Sequence, residues 1–117
     1  KLVISPAESI WGECIIEKSR AAMYILLYLP WNLKFNGKIK AAIIAVIVHE
    51  FAHFERAWKN ESLTRMREID KYLTNGDYRR YDERRTWKRA KQVMQELELW
   101  NPQIRTICRN YKHASGI

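Results

Sequence analysis

At 117 residues the chain has room for one hydrophobic core and not two, so it reads as a single domain over residues 1–117. A composition that is 47% hydrophobic, 29% charged and 12% aromatic, with only four Gly and three Pro, excludes a disordered or low-complexity chain and fits a compact, helix-rich one. The formal charge of +8 is uneven: residues 1–58 carry 7 basic and 5 acidic side chains, residues 59–117 carry 14 and 8.

The longest charge-free apolar run, Ala21 to Leu33, covers 13 residues and contains Pro30 and Asn32. Crossing a bilayer takes about 20 apolar residues, so no membrane span is expected. No pattern of a signal peptide is read at the start, and the default location is the cytoplasm. Cys14 and Cys108 form no C-x-x-C pair and give neither a zinc knuckle nor a disulfide framework.

In chain order, Leu2 to Ile4 is a short β-branched run. Ser5-Pro6-Ala7-Glu8 then combines a capping serine, a first-turn proline and a glutamate three residues after the serine. This predicts a first helix, continued by Ile10, Trp11, Cys14, Ile15 and Lys18 to Ala21 and Ala22, with Gly12 a tolerable weakness. Met23 to Leu29 suits either a buried helical end or a strand. Trp31, Leu33 and Phe35 alternate with Asn32, Lys34 and Asn36, which predicts a half-buried strand ended by a turn at Asn36-Gly37.

A central helix is predicted from about Lys38 to Lys59, apolar on nearly every side from Ala41 to Val48 and therefore interior. Ile43, Ile47, Phe51, Phe54 and Trp58 are its expected core stripe. Ala42, Ala45, Val46, His49, His53 and Ala57 form a face of mainly small residues, open to a cleft or to a close neighbour. Leu63, Met66, Ile69 and Leu73 predict a shorter amphipathic helix closed by Thr74-Asn75-Gly76, with Asp77 as cap for the next. That next helix, Tyr78 to Trp100, has its stripe at Trp87, Ala90, Met94 and Leu97. Asn101-Pro102 breaks it and starts a last helix through Ile104, Ile107, Cys108 and Tyr111, with a tail from His113. The expected fold class is mainly α (α+β), with a buried central helix and a short strand or small sheet.

Chemistry concentrates where the central apolar run ends, at His49-Glu50-Phe51-Ala52-His53. Histidines at i and i+4 lie one turn apart on the same helical face, and Glu50 stands beside them. This is the H-E-x-x-H spacing, in which two imidazoles hold one zinc ion and the glutamate takes a proton from the metal's water. A catalytic zinc needs a third protein ligand. One turn back from Trp87 along the core stripe of the later helix stands Glu83, a carboxylate that needs a compensating partner if buried. Glu61, Glu68, Glu96 and Glu98 are less well aligned, and neighbouring Asp82 is expected to orient a ligand histidine. The plain alternatives are two hydrogen-bonded core histidines, and a Glu83 solvated among Arg79, Arg80, Arg84 and Arg85. Trp11, Trp58, Trp87 and Trp100 read as core.

H49-E-F-A-H53 on a buried helix, followed by E83-R-R-T-W-K-R-A on a second, resembles the gluzincin metallopeptidases, and among them the minimal soluble minigluzincins. The likeness covers Ile43 to Met94. It departs from the thermolysin-type pattern in having Trp87, not aspartate, four residues after the third ligand. What it implies is a zincin-like helical fold that hydrolyses peptide bonds of a peptide or protein substrate. His49, His53 and Glu83 would hold Zn2+ at about 2.0 to 2.2 Å, with Glu50 as general base. Tyr72, Tyr78, Tyr81 and His113 are the candidate oxyanion donors, and the Trp31 to Phe35 strand is the candidate substrate edge. Residues 101–117 would be a latency segment, with Cys108 or His113 as possible approaches to the metal.

A reading from another class is a basic helical nucleic-acid-binding or interaction protein using Arg79, Arg80, Arg84, Arg85, Lys88, Arg89 and Lys91 on phosphates. A third is an inactive scaffold that keeps zinc for structure alone.

Overall fold

Residues 2–6, 10–17, 22–30, 32–59, 74–114 and 116 are described by the computed structural model. Three strands come first: β1 (Leu2–Pro6), β2 (Trp11–Glu17) and β3 (Ala22–Leu29). Three helices follow among the described residues: α1 (Gly37–Lys59), α2 (Gly76–Glu96) and α3 (Pro102–Ala114). With helices of 23, 21 and 13 residues against strands of 5, 7 and 8, the protein is mainly α with a small sheet.

The sheet has the order β1-β3-β2, with β1 parallel and β2 antiparallel to β3. It replaces the expected first helix. Ser5 and Pro6 end a strand instead of capping a helix, and Pro6 lies on an edge strand, where a missing N–H is tolerated. Gly12 and the pair Ile15-Ile16 weaken a helix over residues 11–17, and β3 offers a pairing partner that helical spacing alone does not reveal. The pairing is reinforced by Trp11, which stacks on the directly opposite Tyr28 with ring centroids 3.8 Å apart. Trp11 is 40% exposed, so it is a cross-strand surface residue and not core.

Met23 to Leu29 resolves as strand β3, with Leu27 buried. The strand expected at Trp31 to Phe35 does not form: Asn32 lies in a turn, residues 33–36 have no regular structure and Phe35 is exposed. Both edges of the central strand β3 are already taken by β1 and β2. The segment instead leads into the cap of α1, where the Asn36 side chain accepts from the Ile39 amide at 2.9 Å.

Helix α1 is central, touching β2, β3, α2 and α3. Its core face is Ala41, Ala45, Val48 and Ala52, spaced by four, three and four residues. The expected stripe is overturned: Ile43, Ile47 and Phe54 are only partly buried, and Phe51 is 40% exposed and stacked on Phe54. The side chain of Trp58 lies outside the described residues. Small residues win the interior because they let α2 and α3 close on the α1 backbone, where Trp87, Ala90, Val93, Met94, Ile104, Ile107 and Cys108 fill the space. Each large side chain so buried contributes about 1.5–3 kcal/mol.

The cap of α2 is Asn75, not Asp77: its side chain accepts from the amides of Asp77 at 3.0 Å and Tyr78 at 3.2 Å. Asp77 sits in the first turn and pairs with Arg80. The helix stops at Glu96, short of Trp100, because Glu98 takes a left-handed φ of 59° and the Leu99 amide turns back onto the Met94 carbonyl at 2.8 Å. Asn101 caps α3 as expected, accepting from the Ile104 amide at 2.9 Å. The expected tail is helical as far as Ala114. The expected Leu63 to Leu73 helix, with Tyr72, lies outside the described residues.

Candidate metal centre

The apolar run of α1 ends at Val48, and the next turn carries His49 and His53 on the side that meets α2 and Glu50 beside them, against Gly12 of β2. Across from them α2 presents Asp82, Glu83, Thr86 and Trp87. Glu83, at 8% exposure, is the point of closure: its Oε2 lies 2.8 Å from His49 Nε2 and its Oε1 lies 2.9 Å from His53 Nε2. Both imidazoles thus present the same nitrogen to one carboxylate. Glu50 is buried and its Oε1 is 3.0 Å from His49 Nδ1. His49, Glu50 and His53 each offer a ligand atom within 4.8 Å of the others.

Burial opposes the charged imidazolium of His49, but its hydrogen bonds to Glu50 and Glu83 outweigh that and raise it to about 9. Burial works against the Glu83 carboxylate too, and the two histidines hold it well below the usual carboxylate range. Two imidazole nitrogens and a carboxylate are donor types that suit a divalent metal such as zinc, and His49, His53 and Glu83 would supply them.

Asp82, expected to orient a histidine, has Oδ2 3.7 Å from His53 Nδ1. Thr86 Oγ1 is nearer, at 3.3 Å, and Arg56 binds both Asp82 and Thr86. Sequence reasoning passed over Thr86 and Arg56. Their signal was positional, since Thr86 is one turn beyond Glu83 and Arg56 one turn beyond His53. Arg89 further joins the helices by a two-pronged bond to Glu55, at 2.6 and 3.1 Å.

Trp87, where the thermolysin-type pattern has an aspartate, lies flat against His49 with centroids 4.2 Å apart, and Tyr111 of α3 stacks on its ring at 6.0 Å. The Tyr111 hydroxyl donates to the Ile10 carbonyl at 2.9 Å, tying α3 to the chain entering β2. Gly12 explains why β2 can pass here: a Cβ on it would lie 2.7 Å from Val46 Cγ1 and 3.0 Å from Glu50 Cγ. The glycine that looked like a helical weakness is a close-approach position.

The other candidates lie elsewhere. Cys108 is in the core, its thiol pushed up to about 11 by burial despite Lys112, and His113 is exposed. Tyr81 is exposed and its hydroxyl accepts from Arg85 at 3.2 Å, while Tyr78 pairs with the Tyr81 ring. Neither Cys14 nor Cys108 is in a disulfide. No helix among the described residues is long and apolar enough to cross a membrane.

Comparison with family models, curated proteins and solved structures finds no match. The site's own geometry therefore carries the functional argument.

Proposed function

We propose that the chain is a zinc-dependent metallopeptidase that hydrolyses peptide bonds, with His49, His53 and Glu83 as the metal-holding residues and Glu50 as general base. The observation that carries this reading is the convergence of both histidine Nε2 atoms on the two oxygens of Glu83, beside a buried Glu50. A zinc ion held there would supply Lewis-acid polarisation of the scissile carbonyl and lower the pKa of water to about 7. Glu50 commits Oε1 to His49, which keeps the hydrogen on Nδ1 and leaves Nε2 to the metal. Its other oxygen receives the proton of the attacking water and returns it to the leaving amine.

The substrate edge moves from the expected Trp31 to Phe35 segment to β2, which is an edge strand and passes Glu50 at Gly12. An extended peptide adding to that edge lies beside the general base. In the segment expected to confer latency, residues 101–117, Ile104, Ile107 and Cys108 lie in the core, and Tyr111 reaches Trp87 and Ile10.

Metal analysis of the purified protein with a peptide-cleavage assay tests the reading. Glu50→Ala should keep zinc and lose hydrolysis, and His53→Ala should lose both. A zinc-free protein whose stability is unchanged by chelator overturns it.

The second reading, a basic nucleic-acid-binding helix without catalysis, draws on the exposed Arg84, Lys88 and Lys91, which share one face of α2 with Arg85 alongside. Salt-sensitive oligonucleotide binding by metal-free protein would favour it.

A further inference from the structure

The hydroxyl of Thr86 sits at a junction whose bonds can be assigned from chemistry alone. Its Oγ1 lies 2.8 Å from the Asp82 carbonyl, 3.0 Å from Arg56 Nη1 and 3.3 Å from His53 Nδ1. A hydroxyl has one proton and two lone pairs. A carbonyl can only accept, so the Asp82 carbonyl takes the hydroxyl proton. A guanidinium can only donate, so Arg56 fills one lone pair. The lone pair that is left faces His53 Nδ1, which must therefore carry a hydrogen. The other ring nitrogen, Nε2, is turned toward Glu83 Oε1 at 2.9 Å, the side on which a metal would be held.

Arg56 holds this junction together. The same Nη1 reaches the Asp82 carbonyl at 2.9 Å and its Oδ1 at 2.5 Å. Drawing in that carboxylate sets Oδ2 3.7 Å from His53 Nδ1, where its charge favours the N–H. The Arg56 and Asp82 side chains are only 20% and 15% exposed, so water does little to loosen the arrangement. Arg56 is on α1, one turn past His53, and its partners are on α2. The clamp thus fixes the ring's orientation and the spacing of the two helices that carry the ligands.

We propose that Arg56 is a positioning residue of the metal site, holding His53 Nδ1 on Thr86 and beside Asp82 so that Nε2 faces the metal. This rests on the metal reading above, and two measurements separate their failures. The first is zinc affinity by competition with a chromophoric chelator. Thr86→Val and Arg56→Gln should lower it by about 10- to 100-fold. Thr86→Ser, which keeps the hydroxyl, should retain it, and His53→Ala should abolish it. Parental affinity in folded Thr86→Val and Arg56→Gln overturns the inference.

The second measurement is whether His53 Nδ1 carries a hydrogen, read from imidazole 15N shifts in chelator-treated protein. Nδ1 should carry one in the parent, and Thr86→Val should lower its occupancy. A parent ring with no hydrogen on Nδ1 overturns the inference. If the parent binds no zinc, the metal reading falls and the Nδ1 result decides the inference by itself. If Thr86→Val or Arg56→Gln does not fold, the parent's Nδ1 and the zinc affinity of Thr86→Ala decide. Thr86→Ala removes the hydroxyl without adding bulk, and parental affinity in it overturns the inference.

Discussion

Trp87 lies against the face of His49, with ring centroids 4.2 Å and planes 21° apart, while its own Nε1 is buried without a hydrogen-bond partner. An indole nitrogen left unpaired in an interior costs about 1–3 kcal/mol, so the ring is held there by its faces and not by its polar edge. Trp87→Phe should therefore fold with stability close to the parent's. Trp87→Ala should lose about 3–5 kcal/mol. Because the ring touches a ligand histidine, zinc addition should change the tryptophan emission of the parent and leave Trp87→Phe much less affected. Denaturant melts and a zinc titration followed by fluorescence check both, and an equal zinc response in the two proteins contradicts the contact.

The metal-free chain should have a pH optimum set by His49 and Glu83. His49 is raised from 6.5 to about 9, so its contribution is fully present below about pH 6.5 and is lost as pH rises through about 9. Glu83 is lowered, so its contribution is present above about pH 4.5 and is lost as pH falls toward its folded value. The two shifts share the His49–Glu83 contact, with Glu50 also acting on His49 and His53 also acting on Glu83. Zinc needs neutral imidazole, so stabilisation by zinc should run the other way and grow from about pH 6 to pH 8.5. Thermal melts in chelator and in zinc at those two values show it, and a zinc effect independent of pH argues against histidine ligation.

Gly12 should not tolerate a methyl group. The Cβ of Gly12→Ala would press on Val46 and Glu50 at 2.7 and 3.0 Å, and the Leu26 carbonyl, 3.2 Å away on β3, blocks retreat. The expected loss is about 1–3 kcal/mol by denaturant unfolding, the usual range for overpacking. An unchanged midpoint would mean that β2 does not run against α1 at this point.

Glu98 is a position where a substitution should help. It closes α2 with a φ of 59°, a conformation that costs an L residue and not glycine. Glu98→Gly should stabilise the protein by about 0.5–1 kcal/mol, and Glu98→Val should destabilise it. A chemical melt of the three proteins gives the order directly.

Local chemistry made part of the protein legible in its sequence. An asparagine before Gly37, another before Pro102 and an unbroken apolar run between Ala41 and Val48 set the starts of α1 and α3 and the length of α1, because caps and propensity act within a few residues. Helical periodicity likewise places His49 near His53, and Glu83 one turn from Trp87, whatever the rest of the chain does. Tertiary contacts decided the remainder. Residues 11–17 are extended because β3 pairs with them, overriding an apolar spacing equally suited to a helix. α1 buries Ala41, Ala45 and Ala52 in place of Ile43, Ile47 and Phe51 because two helices must approach its backbone. The meeting of His49 and His53 on Glu83, and the Arg56–Thr86 clamp on His53, depend on how α1 crosses α2, a relation between segments more than 25 residues apart that no local pattern encodes.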